Sequence, residues 1–260
     1  MGIKFRLIVM NFLQYAIWGS WLISLGAYLG GGLDFTGLQI GSFFATMGVA
    51  SLFMPAVMGI IADRWIPAQK LLGICHLVSG GFLIAAASQT AYGPLYSCML
   101  LSVMFYMPTI ALSNSVAYNA LDLARLDTVK HFPPIRVWGT VGFIAAMWFV
   151  DLTHIGGVQI KLTEWQLYVS AVLSFLLSVY SFSLPGCPVD RNVKARSWVD
   201  TLGLRAFTLF KEKRMAIFFV FSMLLGAALQ ITNAFGDSYI QSFGSMPQYA
   251  DSAIVKHSVI

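Results

Sequence analysis

Apolar residues run along this chain in long stretches separated by short polar connections. They show neither the strict alternation of half-buried strands nor the narrow stripe of a soluble amphipathic helix. A helix that crosses a bilayer needs about 20 predominantly apolar residues. Stretches of that kind occupy residues 5–29, 37–62, 70–88, 94–115, 135–150, 165–184 and 215–235 and predict seven transmembrane helices. An eighth is expected to begin near Ser252. Lys4 and Arg6 precede the first stretch as they would in a signal peptide, but its length and the interruption by Gln14 favour an uncleaved span.

The polar segment 185–214 is the longest connection. Pro185, Gly186 and Pro188 stop the sixth helix. Ser197 and Asp200 resemble the start of a capping box. Trp198, Leu202, Phe207 and Phe210 then recur at helical spacing beside Arg205 and Lys211, which predicts an amphipathic helix on the membrane surface. Six spans, a basic linker and renewed spans suggest a transporter built from two halves. The expected organisation is a six-helix bundle over 1–184, a cytoplasmic linker over 185–214, and the first helix of a second bundle with the start of the next over 215–260.

Charge sharpens this picture. Charged residues make up only 10% of the chain and apolar residues 58%, which excludes an ordinary soluble domain. Fourteen of the sixteen Lys and Arg residues fall at the N-terminus or in the second-to-third, fourth-to-fifth and sixth-to-seventh connections, leaving only Lys161 and Lys256 opposite. Basic loops stay inside, so the N-terminus is expected in the cytoplasm. The net charge of +5 is therefore a topological signal, with no indication of nucleic acid as a partner. Cys75, Cys98 and Cys187 are scattered, without disulfide or metal spacing.

Three regions carry candidate chemistry. After the second span the chain reads Gly59-Ile-Ile-Ala-Asp63-Arg64 and then runs to Lys70. Gly59 would allow close helix approach, and Asp63 at a helix end could pair across a half-domain in one conformer and release in another. The alternative is an ordinary charged turn. The fifth span opens Phe132-Pro133-Pro134-Ile135-Arg136, the two prolines suiting a first helical turn, and continues through Gly139, Thr140, Gly142 and Phe143. Arg136, Thr140 and Phe143 stand at i, i+4 and i+7, so a cation, a hydroxyl and an aromatic ring share one face. They suit a polar, ring-bearing solute; Arg136 could equally be a snorkelling anchor. In the seventh span, Gln230 and Asn233 share a face that Asp237 extends, either lining a cavity or bonding neighbouring helices.

Weaker cavity candidates are Gln14 and Trp18 in the first span and Asn114 and Tyr118 in the fourth. His76 reads as a packing histidine. Asp63, Asp122, Asp127 and Asp237 lie toward span ends, so none is an obvious proton carrier. The sequence holds no phosphate loop, no paired catalytic carboxylates and no metal spacing, so it predicts no enzyme and no cofactor, with an ion gradient as the driving force.

The stretches FLQYAIWGSWL (12–22), FMPAVMGIIADRW (53–65), FPPIRVWGTVGFIAAMW (132–148) and LFKEKRMAIFFVFSMLLGAALQITNAFGDSY (209–239) resemble bacterial nucleoside permeases of the nucleoside:proton symporter family, within the major facilitator superfamily. The loop after the second span departs from the superfamily signature, with Pro67 and Ala68 near its usual Gly and Arg. The resemblance implies an all-α membrane fold of twelve spans in two six-helix halves and a central substrate site. It implies that Arg136, Thr140, Phe143, Gln230 and Asn233 line a nucleoside site, that Gly59, Asp63 and Arg64 belong to a conformational gate, and that the proton is the coupling ion. It also implies a bacterial inner-membrane location and further substrate contacts on helices beyond this chain, since the family's chains are longer. A permease for a sugar, and a non-transporting membrane scaffold or receptor-like half, are the alternatives.

Overall fold

The computed structural model describes residues 2–189 and 210–242. The proposed surface helix within 185–214 and the eighth span fall almost wholly outside the described residues. Among the described residues, seven long helices follow the expected order: α1 (Ile3–Gly19), α2 (Gly37–Arg64), α3 (Ala68–Ala87), α4 (Tyr92–Leu123), α5 (Thr128–Leu152), α6 (Trp165–Ser181) and α7 (Lys213–Ser242). Of these, α2, α3, α4, α5 and α7 are each long and apolar enough to cross a bilayer. The chain is a multi-pass helical membrane protein.

The first span is not one helix. After Gly19 the backbone turns through residues 20–24, resumes as a short helix Leu25–Ala27 and closes in a π-helical turn Tyr28–Gly32. Two buried serines sit in this stretch. Ser20 Oγ donates to the Ala16 carbonyl at 2.8 Å, and Ser24 Oγ donates to Gln166 Oε1 at 2.8 Å. The Leu22 amide still donates to the Trp18 carbonyl at 3.0 Å and the Leu25 amide to the Trp21 carbonyl at 2.8 Å, so the backbone ladder is only partly interrupted.

Helix boundaries follow local chemistry. A capping box starts α2: the Thr36 amide donates to Gln39 Oε1 at 2.9 Å, and the Gln39 amide donates to Thr36 Oγ1 at 3.4 Å. Helix α5 begins well before the prolines, at Thr128, where Asp127 Oδ1 accepts from the Val129 amide at 2.9 Å. The expected start at the Pro133-Pro134 pair is therefore corrected. The prolines withhold N–H groups from the carbonyls of Val129 and Lys130, and both of those residues are exposed at the helix end where water can reach them.

Packing within the bundle places α1 against α5 and α6, α3 against α4 and α6, and α2 against α4. The α1–α5 contact is backbone to backbone. A Cβ on Gly142 would lie 2.2 Å from the Phe12 carbonyl oxygen, and one on Gly19 would lie 2.3 Å from that of Phe143. Buried polar side chains tie the other helices together, as expected where lipid removes the hydrophobic drive between them. Ser170 Oγ donates to the Ile17 carbonyl at 2.8 Å and Ser178 Oγ to the Gly73 carbonyl at 2.8 Å. Helix α7 meets the bundle through the short helix Leu25–Ala27 and through Phe235, whose ring lies 5.8 Å from that of Phe44.

Candidate functional site

Helices α1, α5 and α7 enclose a cavity of about 350 Å³. Its wall contains Arg136, Thr140 and Phe143 from α5, Gln230 and Asn233 from α7, and Tyr15, Trp18 and Leu22 from the first span. All five residues singled out on α5 and α7 therefore face one space. A second cavity of about 500 Å³ adjoins it, lined by Phe44, Met47, Met107 and Phe235 and sharing Trp18 and Gln230 with the first. Both volumes lie within the range of about 300–1,000 Å³ usual for small-molecule sites.

The smaller cavity offers aromatic faces and unpaired polar groups. Trp18 meets Phe143 edge-on at 6.4 Å and Tyr106 at 6.1 Å, which fixes the indole against the wall. Trp18 Nε1 and Gln230 Nε2 are buried donors without a hydrogen-bond partner among the described residues. A donor left in that condition costs about 1–3 kcal/mol, so a solute carrying acceptors gains most by meeting these two. Arg136 stacks its guanidinium over the Tyr15 ring, 3.7 Å from the centroid, and no acid pairs with it among the described residues.

The weaker candidates divide. Trp18 lines both cavities. Gln14 does not, because it is fully buried and committed elsewhere. Its Nε2 donates to Thr109 Oγ1 at 2.7 Å, and its Oε1 faces His76 Nε2 at 2.8 Å. The Thr109 hydroxyl already donates to the Tyr106 carbonyl, so it accepts from Gln14. Gln14 Oε1 must then accept, and His76 donates from Nε2. Asn114 is also absent from the wall, and Tyr118, 46% exposed, packs its ring 4.6 Å from Phe132 instead. Helical spacing from Asn114 placed these two on one face, but that face turns away from the cavity.

The expected gate residues sit at the end of α2. Asp63 is exposed and Arg64 partly buried, with no ion pair to either among the described residues. Gly59 meets nothing within 4 Å of where its Cβ would stand, so the close helix approach expected of it is not made by any described helix.

A charged cluster that the hydropathy pattern does not reveal lies at the other end of α5. Asp151, one residue beyond the expected fifth span, pairs with Lys161 at 2.6 Å, and both side chains are only 6% exposed. A β-hairpin brings them together. Strands β1 (His154–Ile155) and β2 (Val158–Gln159) pair antiparallel about Gly156 and Gly157, whose φ angles are +61° and +84°. The Lys161 carbonyl then accepts from Gln166 Nε2 at 3.0 Å, linking the pair to Ser24 on the first span. The Gly-Gly step was the available signal. Asp237 belongs to α7, but its side chain lies outside the described residues.

Comparison with known proteins gives a consistent set of likenesses. The family profile described as "Nucleoside H+ symporter" matches residues 1–260. The chain is 50% identical over 260 residues to the xanthosine permease of Escherichia coli (strain K12), covering 100% of this chain and 61% of that protein. It is 45% identical over 260 residues to the nucleoside permease NupG of the same organism, again covering 61% of the relative. A crystal structure of the nucleoside transporter NupG superposes with a TM-score of 0.83 at 45% identity, over 99% of this chain and 62% of that one. The chain thus spans 61% of the length of these curated relatives.

Proposed function

The chain belongs to the nucleoside H+ symporter family, and on that premise we propose that it serves proton-coupled nucleoside uptake across the bacterial inner membrane by alternating access. The observation that carries this reading is the meeting of Arg136, Thr140, Phe143, Gln230 and Asn233 around one cavity of about 350 Å³. Phe143 and Trp18 offer ring faces to a base. The amides of Gln230 and Asn233 both donate and accept, which suits base edges and ribose hydroxyls. Arg136 and Thr140 supply donors to oxygen.

In this reading residues 1–184 act as one rocking half and α7 as the first element of the other, joined by the basic linker on the cytoplasmic side. Gly59, Asp63 and Arg64 serve at the inner gate, with a partner in the part of the family's fold that lies outside the described residues. The N-terminus lies in the cytoplasm, supported by the basic loops. The family's activity resides in the two halves together, and further substrate contacts and the proton-carrying group belong to the remaining length of the relatives.

The test is uptake of radiolabelled uridine by cells that lack their own nucleoside permeases and express the native gene. Arg136→Ala abolishes uptake at unchanged membrane abundance, adenosine competes and sugars do not, and a protonophore collapses accumulation. Competition by sugars alone, or full uptake by Arg136→Ala, overturns the reading.

A further inference from the structure

Arg136 is a partly buried cation in an apolar bundle, and among the described residues it has no carboxylate partner. Such a group ordinarily pairs with an acid. Here its companion is an aromatic face: the guanidinium carbon sits 3.7 Å from the centroid of Tyr15. Tyr15 is itself only 6% exposed. A Cβ at Gly139, one turn along α5 from Arg136, would come within 2.5 Å of Tyr15 Cδ2 and 2.9 Å of Arg136 Nη1. The missing side chain at 139 therefore makes the notch into which the ring fits. The Tyr15 hydroxyl is buried and has no hydrogen-bond partner among the described residues, so the contact with Arg136 is made by the ring.

We propose that Tyr15 is the positioning residue for Arg136, holding the guanidinium by its π face so that the N–H edge stays free for a neutral, oxygen-bearing solute. This rests on the reading of the cavity as a nucleoside site. The chemistry explains why an aromatic is used. A carboxylate would orient the arginine equally well, but it would occupy the fork of N–H groups bidentately and cancel the charge. An aromatic face stabilises the cation from above the guanidinium plane and consumes no N–H donor. The result is a fixed donor fork toward acceptors such as ribose or pyrimidine oxygens, in a wall where Thr140 stands one turn away.

The test is a double-mutant cycle on uridine uptake, using the native gene in permease-deficient cells with rates normalised to membrane abundance. Tyr15→Leu raises the KM for uridine by roughly tenfold while the maximal rate changes much less, as loss of a desolvated cation–π contact predicts. Tyr15→Phe, which keeps the π face and loses only the hydroxyl, stays well below Tyr15→Leu in KM. On an Arg136→Lys background, which retains a cation but not the fork, Tyr15→Leu has a clearly smaller effect. A Tyr15→Leu KM equal to wild type overturns the inference, and so does a Tyr15→Phe variant as impaired as Tyr15→Leu. If Tyr15→Leu does not reach the membrane, fluorinated phenylalanines at position 15 replace it. They weaken the π face in steps at nearly constant shape; a KM that climbs with fluorination supports the inference and a flat series overturns it. Absence of nucleoside uptake by the wild type sinks the substrate reading and this inference together, whereas normal uptake with an unchanged Tyr15→Leu KM sinks this inference alone.

Discussion

Substituting Gly142 by alanine tests the close approach on which the cavity wall depends. The added methyl would stand 2.2 Å from the Phe12 carbonyl oxygen and 2.9 Å from its carbonyl carbon. Ordinary contact begins near 3.4 Å, so α1 and α5 must separate by about 1.2 Å at this point. The obstruction is backbone, which cannot swing aside as a side-chain tip would. Overpacking of this kind costs about 1–3 kcal/mol, and the rigid carbonyl puts Gly142→Ala in the upper half, at about 2–3 kcal/mol. For a chain of this size each kcal/mol lowers Tm by about 2–4 °C, so the apparent Tm of the purified protein in detergent falls by roughly 4–12 °C. Gly81→Ala is the control. It lies in helix α3 with nothing within 4 Å of its Cβ position, and a helical Gly→Ala change there is neutral or stabilising by up to about 1 kcal/mol. Thermal scans on the three proteins in one detergent decide the matter. Equal Tm values for Gly142→Ala and Gly81→Ala would refute the packing argument, and with it the claim that glycine sets the α1–α5 distance.

Two further outcomes are expected. Asp151→Asn removes a buried partner of Lys161 and lowers the apparent Tm, whereas Asp151→Leu combined with Lys161→Met restores much of the loss; a single substitution as stable as wild type in the same thermal scan would show that the pair does not contribute as described. Cys187 lies outside the spans, and burial raises its thiol pKa above the ordinary value, outweighing the stabilising contacts of Gln69 and Asn119. A raised pKa leaves less thiolate at neutral pH, so iodoacetamide labels Cys187 in a Cys75→Ala/Cys98→Ala background more slowly than it labels a model cysteine peptide, and the deficit narrows as pH rises; equal rates at pH 7.5 would contradict this.

The spans were legible because the bilayer imposes one length and one composition on every crossing, and α2, α3 and α6 start where hydropathy places them, to within two residues. Hydropathy is blind to backbone geometry, and so it reads straight through the change after Gly19, where the α-helix gives way to a turn, a short helix and a π-helical turn in residues that remain mostly apolar. It also misplaces the start of α5, since Pro133 and Pro134 look like a first turn until Asp127 is recognised as the cap. Periodicity correctly groups Arg136 with Thr140 and Phe143 because that grouping lies within one helix. That Gln230 and Asn233 face the same space is a tertiary fact, and no spacing within α7 contains it. The same limit explains Gln14: its spacing to Trp18 is helical, yet a partner 62 residues away, His76, takes it out of the wall. Asp151 and Lys161 escape for a related reason, since only the Gly156-Gly157 turn brings them together.

The interruption in the first span divides one crossing into two bodies with separate moorings. The segment before the interruption is clamped to α5 by Gly19 and Gly142 and carries Tyr15 and Trp18. The segment after it is tied to α6 through Ser24 and Gln166 and meets α7 at Leu25–Ala27. Between them the helical ladder is only thinned, with the Leu22 amide donating to the Trp18 carbonyl at 3.0 Å and the Leu25 amide to the Trp21 carbonyl at 2.8 Å. Gly142 and Gln166 therefore act on different parts of one span, the first setting the cavity wall and the second the approach to α7.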